Sequence, residues 1–129
     1  MSLPLKGFKA LDLSRLAAGN MVSHMLADYG ADVIKVEKPG KGDDLRNWKV
    51  KNVSHWWHVY SRNKRSIALD FKSDIGIDIL KELIKSADIF IENFVPGTLE
   101  KWGLSPKSLF KINQNLIILR ISGWGQTGL

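Results

Sequence analysis

The stretch SIALDFKSDIGIDILKELIKSADIFIE, residues 66–92, decides the fold. It opens on a strand pattern from Ser66 to Asp70. Ser73 or Asp74 can then cap a helix running from Ser73 to Ala87, along which Ile75, Ile79, Leu80, Leu83 and Ile84 form an apolar stripe at helical spacing. A strand from Asp88 to Glu92 follows directly. Two strands joined through a helix of this length run parallel, because the helix returns the chain to the end of the sheet at which it started.

The same alternation continues on both sides. Upstream, Phe8 to Leu13 reads as a buried strand. A helix follows from about Asn20, with Met21, Met25 and Leu26 at helical spacing and Gly30 as its stop, and then a short strand from Val33 to Val36 that ends at Glu37. Lys38 to Asp44 holds Pro39, Gly40 and Gly42 and reads as a loop, and Ser54 to Tyr60 as a short helix with an aromatic face. Downstream, Val95-Pro96-Gly97 opens a loop or short helix closed by Gly103. Ser105 caps a helix with Pro106 at its first position that continues through Asn113, and Leu116 to Ser122 is the fifth and most apolar strand. The expected fold is α/β, a Rossmann-like parallel sheet with helices on both faces, formed by residues 1–129 as one domain or part of one. In such a sheet the loops leaving the carboxyl ends of the strands share one edge, where ligands bind. Here those loops are Ser14 to Asn20, Glu37 to Arg46, Phe71 to Asp74, Asn93 to Thr98 and Gly123 to Leu129.

Composition narrows the chemistry. With 44% hydrophobic and 25% charged residues the chain is too apolar for intrinsic disorder. It has no cysteine, which excludes disulfide scaffolds, cysteine nucleophiles and cysteine-held zinc or iron–sulfur centres within these residues and is compatible with a reducing compartment. No run of 18 apolar residues and no leader pattern at Met1 to Leu5 is present, so the expected location is cytoplasmic, with no membrane partner. Nineteen Lys and Arg against 13 Asp and Glu give a charge of +6, which favours an anionic ligand.

Most motif-like strings carry little. Gly123-Trp124-Gly125-Gln126-Thr127-Gly128 satisfies G-x-G-x-x-G after a strand, but no helix opens at the third glycine and no acidic residue follows about 20 positions on. It reads as a turn or ligand-facing loop. His55 and His58 lack a third metal ligand and sit among tryptophans, so they read as structural, as does His24, and no metal is expected. Gly-x-Ser-x-Gly does not occur. More informative are Lys38, Lys41, Arg46, Lys72 and Lys101, on or beside three of the edge loops. Converging there, they would hold a phosphorylated small molecule through charge-assisted hydrogen bonds. Arg62, Lys64 and Arg65 precede a strand and belong to the opposite edge, with pairing to phosphates or carboxylates as their only evident use.

Several segments together resemble the family III CoA-transferases of the CaiB/BaiF type. They are Leu11-Asp12-Leu13-Ser14-Arg15, Ala18-Gly19, Leu26 to Glu37, Gly42-Asp43-Asp44, Asn63 to Asp70, Glu92 to Gly97 and Gly123 to Gly128, in the family's order and spacing over essentially the whole chain. The resemblance implies transfer of CoA from an acyl-CoA to a small carboxylic acid, through an aspartate-linked anhydride and thioester. It also implies coenzyme A, carried in as the acyl-CoA substrate, lying on the Rossmann-like part of an interlocked homodimer. Carried over position by position, Ala17 and Ala18 match the loop beside CoA and Lys38 an arginine that meets the adenine. Leu69, Asp70, Phe71 and Lys72 match a segment against the nucleotide; Asn93, Phe94 and Val95 match the pantetheine side; Lys101 matches a basic residue near the phosphates.

There are departures. Lysine at 38 lacks arginine's planar stacking surface, Ala17 stands where formyl-CoA transferase has a glutamine near the reacting centre, and Asn20 and Leu129 stand where proline is usual. The family's nucleophilic aspartate corresponds to a position beyond Leu129, so the resemblance implies the CoA-binding, N-terminal part of a longer enzyme. This part is expected to be inactive alone and, with sheet surface uncovered, to self-associate. An acyl-CoA racemase shares the platform, but the insertion from Arg46 to Asn63 with Trp48 resembles the transferases more. The sequence pI near 9.7 also suits a nucleic-acid-binding module. Few exposed aromatic platforms lie among the basic residues, so no nucleic-acid partner is expected.

Overall fold

The structure, a computed structural model, describes residues 2–127. Strands β1 (Lys9–Asp12), β2 (Asp32–Glu37), β3 (Lys64–Ala68), β4 (Ile89–Glu92) and β5 (Ile117–Arg120) alternate with helices. Those are α1 (Leu16–Asp28), α2 (His55–Tyr60), α3 (Asp74–Lys85), α4 (Thr98–Lys101) and α5 (Pro106–Ile112), with a 3₁₀ turn at Asp44–Asn47. The strands form one sheet in the order β3-β2-β1-β4-β5, every neighbouring pair parallel. The expected α/β architecture is borne out. Among the described residues no helix is long and apolar enough to cross a membrane.

The two faces of the sheet are built from different chemistry. Alternation along the strands sends Leu11, Val36 and Phe90 to the side of α3 and α5, where they pack with Leu80, Ile84, Leu99, Leu104 and Leu109 in the main core. Each such side chain, fully buried, stabilises the fold by about 1.5–3 kcal/mol. The opposite face, under α1, has only a small apolar cluster, Ala10, Ala27, Ala31 and Val33. Leu5, Leu26 and Ile89 pack around it, and beside it the layer is polar: Asp12 and Lys35 from the strands and Asn20, Ser23 and His24 of α1 are buried there, and Glu37 is buried at the end of β2.

Several expectations need correction for this reason. Helix α1 begins at Leu16, four residues before Asn20, because the caps of its first turn come from distant loops rather than from adjacent sequence. Its packed face is small and polar, so Met21 and Met25, which set its helical spacing, are half exposed. In α3, Ser73 does cap, its hydroxyl accepting the Gly76 amide at 3.0 Å, but Gly76, Leu80 and Ile84 are the buried positions and Ile75 is 75% exposed. Strand β3 starts at Lys64, two residues early. Arg62 and Arg65 bond the carboxylates of Asp28 and Asp32, both at 2.6 Å, so the basic cluster pairs within the protein. The most apolar strand, β5, lies at the edge of the sheet, with Ile117 and Leu119 exposed.

Candidate functional site

With this strand order, the chain leaves β1 and β4 toward opposite sides of the sheet, which opens a crevice between the loops that follow them. Those two loops are clamped together by one side chain. Asn93 accepts the Arg15 amide at 2.7 Å through Oδ1 and donates to the Arg15 carbonyl at 2.8 Å through Nδ2. The next residue, Leu16, has φ of 60°, a left-handed conformation that leucine rarely adopts and that costs about 1–2 kcal/mol. Its amide donates to Asp43 Oδ1 at 3.0 Å, so the loop after β2 holds the strained start of α1 in place.

Beneath the crevice lies a closed charge network. Asp12 accepts the Ser14 amide at 2.9 Å, the Ser14 and Ser23 hydroxyls, and the ammonium groups of Lys35 at 3.4 Å and Lys64 at 3.3 Å. Lys35 also reaches Asp43 at 3.0 Å and donates to the Ser14 carbonyl. Burial pushes Lys64 down to about 8, against the attraction of Asp12. Burial raises Asp43, but Lys35, the Leu45 and Leu16 amides and Asn20 more than offset it and hold the carboxyl below its usual range. Two cations against two anions, with their remaining polar atoms bonded to neighbours, make this a structural support for the rim loops.

Glu37, at the end of β2, is likewise engaged. Arg46 forks onto it at 2.7 and 2.8 Å, Ser66 donates at 2.5 Å and the Asp43 amide at 2.7 Å. Burial raises its carboxyl, but these donors hold it near 2. The Arg46 guanidinium also lies 3.8 Å from the centroid of the Trp57 ring. Gly42 makes the pair possible: with φ of 69°, a Cβ there would stand 2.7 Å from Arg46 and 2.8 Å from Glu37. Arg46 is therefore a bound strut rather than a free cation of the rim.

A string of adjoining cavities follows the rim. The inner one lies at the crevice, between Arg15, Lys38, Asp43, Phe71, Phe94 and Trp102. The next outward shares Lys38, Phe71, Lys72 and Trp102 with it and adds Lys41, Leu69 and Asp70. Another turns around Trp102 to Lys72 and Lys101. Phe71, Phe94 and Trp102 make the apolar wall, with ring centroids 5.1 to 6.4 Å apart. Lysines without a carboxylate partner among the described residues, set along an apolar wall, can take a ligand with phosphates at one end and a less polar chain at the other.

The structure thus brings Lys38, Leu69, Asp70, Phe71, Lys72, Phe94 and Lys101 onto connected cavities. It does not put Ala17, Ala18, Asn93 or Val95 in their linings. Ala17 and Ala18 sit in the first turn of α1, Asn93 serves as the clamp, and Val95 is 75% exposed beside it. Gly123 to Thr127 form an exposed irregular segment, Trp124 outermost; Gly128 and Leu129 lie outside the described residues. Among the described residues no cluster of metal-ligating groups occurs. Sequence reasoning missed Arg15 and Trp102 as lining residues. Arg15 could have been found from its place directly after β1, at the switch point.

Fold and rim together define an open-sheet α/β protein whose switch-point crevice is cationic and backed by aromatic rings. The chain belongs to CoA-transferase family III, whose family model matches residues 5–129. It is 46% identical over 128 residues to a succinyl-CoA–D-citramalate CoA-transferase of Chloroflexus aurantiacus, covering 97% of this chain and 32% of that protein. It is 45% identical to the human succinyl-CoA:glutarate CoA-transferase, covering 97% of this chain and 29% of that protein. Among solved structures, a CaiB/BaiF family protein from Brucella suis superposes with a TM-score of 0.93 at 43% identity, over 100% of this chain and 36% of that one. The chain spans about a third of the length of these relatives.

Proposed function

We propose that residues 1–129 form the CoA-binding part of an enzyme that moves CoA from an acyl-CoA to a carboxylic acid. The observation that carries this reading is the continuous rim on which Lys38, Lys41, Lys72 and Lys101 flank the Phe71 and Trp102 wall. The lysines would take the phosphates of CoA, Lys38 and the segment from Leu69 to Lys72 the nucleotide, and the crevice at Phe94 the pantetheine arm. Ala17, Ala18, Asn93 and Val95 would act at its inner end, where the clamp between the β1 and β4 loops fixes the backbone.

In the proposed reaction an aspartate carboxylate attacks the thioester carbonyl, forming an acyl-aspartyl anhydride and releasing the CoA thiolate. The thiolate attacks the aspartyl carbonyl, giving an aspartyl-CoA thioester and the free acid. The acceptor carboxylate then runs both steps in reverse, so the thioester's energy stays in covalent intermediates. Asp43, the aspartate in the inner lining, has both oxygens engaged, which supports a nucleophile supplied from outside these residues. The two curated relatives above are named for succinyl-CoA with D-citramalate and with glutarate, both dicarboxylic acids, and we extend that substrate class to this protein. We further propose a homodimer for the whole enzyme. Met21, Met25, Trp56 and Val59, exposed on the neighbouring helices α1 and α2, would supply apolar contact surface.

Calorimetric titration of the chain with CoA and with pantetheine tests this. Binding of CoA that Lys72→Ala and Lys101→Ala each weaken about fivefold to tenfold, with pantetheine affected less, is the expected result. No CoA binding, or equal losses for both ligands, would overturn it. So would nucleic-acid binding with a steep salt dependence in place of CoA binding.

A further inference from the structure

Arg15 stands apart from the other arginines of the chain. Arg46, Arg62, Arg65 and Arg120 each bond a carboxylate at 2.6 to 2.9 Å. Among the described residues the carboxylate nearest the Arg15 guanidinium is Asp44 at 3.9 Å, a loose ion pair beyond hydrogen-bonding distance. Its position is nonetheless fixed. The backbone is locked at both N–H and C=O by Asn93, and the guanidinium lies 5.3 Å from the centroid of the Phe94 ring. It lines the inner cavity, whose lining also includes Val36, Phe71, Phe94 and Trp102, and its side chain is 40% exposed.

A planar fork of donors, held at the inner end of a largely apolar crevice with only a loose ion pair to Asp44 and no carboxylate hydrogen-bonded to it among the described residues, is built to meet a planar anion that arrives with the ligand. The phosphates of CoA have Lys41 and Lys101 of the outer cavities, with Lys38 and Lys72 at the junction with the inner one. The inner end is where the acyl group lies if the pantetheine arm follows the crevice. A monocarboxylic acyl group brings no charge there, whereas a dicarboxylic one brings a second carboxylate.

We propose that Arg15 is a specificity-determining residue that receives the free carboxylate of a short dicarboxylic acyl group at the inner end of the crevice. This deepens the reading of the rim as a CoA site and rests on it. The guanidinium makes two parallel N–H···O bonds to the carboxylate, and Phe94 beneath it keeps the fork in the plane of approach.

Succinyl-CoA and butyryl-CoA separate the two questions, because they share the CoA moiety and the four-carbon length and differ in the terminal carboxylate. In titrations of the chain, succinyl-CoA should bind about fivefold to twentyfold more tightly than butyryl-CoA. In Arg15→Gln that ratio should fall to near one, while Arg15→Lys should keep part of it. Lys72→Ala should weaken both ligands and leave their ratio unchanged. If both acyl-CoAs bind but the ratio is the same in the parent chain and in Arg15→Gln, the role of Arg15 is overturned and the CoA site stands. If neither binds, both fall together.

Discussion

The Asp43 carboxylate caps a helix that begins 27 residues before it, accepting the Leu16 amide at 3.0 Å while Lys35 holds its other oxygen at 3.0 Å. One side chain thus ties the β2 loop, the first turn of α1 and the buried charge network together. Rim loops positioned by such a pin can keep their lysines free for a ligand.

Removing that pin should be costly. Asp43→Ala leaves Lys35 buried with one carboxylate fewer and the strained Leu16 uncapped, so urea denaturation should show a loss of about 3–5 kcal/mol. Asp43→Asn, which keeps an acceptor, should cost less. A change within about 0.5 kcal/mol for the alanine variant would show that the pin contributes nothing.

Gly19 is buried where α1 crosses the loop after β1, and a Cβ there would fall within the van der Waals shell of the Ser14 side chain. Helix propensity alone favours alanine by about 1 kcal/mol. Overpacking outweighs it, and Gly19→Ala should lower stability by about 1–3 kcal/mol in a thermal melt. A raised Tm would contradict the close approach.

Acid should unfold the protein through Glu37. Its carboxyl stands near 2 in the fold against an ordinary 4.5, since the Arg46, Ser66 and Asp43 donors outweigh the upward push of burial. A depressed carboxyl contributes stability above its unfolded value, lost as pH falls from about 4.5 through about 2, here on the order of 3 kcal/mol. Asp43, shifted in the same direction, steepens the loss. Unfolding free energies measured from pH 6 to 2 should show this slope, and Glu37→Gln should flatten it; an unaltered slope in the variant would assign the acid sensitivity elsewhere.

The exposure of α3 gives a direct contrast. Ile75→Lys should change stability by no more than about 0.5 kcal/mol, because the side chain is 75% exposed. Leu80→Ala, at a site with 0% exposure, should cost about 2–5 kcal/mol. Comparable losses for both would mean that the apolar stripe is buried as the isoleucine spacing suggests.

Much of the candidate site was legible because turn chemistry and chain order mark it. Pro39, Gly40 and Gly42 announce the loop after β2, and Val95-Pro96-Gly97 the one after β4. Parallel alternation then sends both loops to the same edge, where Lys38 and Lys72 stand. The free or bound state of each cation was not legible. Arg46 and Arg15 look alike in sequence, but Arg46 is forked onto Glu37 whereas Arg15 meets only Asp44, at 3.9 Å, among the described residues. Pairing of this kind depends on which strands lie side by side, as Lys64 beside Val33 of β2 shows.

The sequence by itself determined the α/β class, the order of strands and helices, and the edge on which the loops gather. These follow from local periodicity and from the geometry of a crossover connection. Only the tertiary structure decided where α1 begins, that its packed face is polar, and which charges support the rim rather than line it. Caps and ion pairs such as Asp43 with Leu16, or Asp12 with Lys64, join residues far apart in the chain, and their energy exists only once the sheet has brought them within bonding distance.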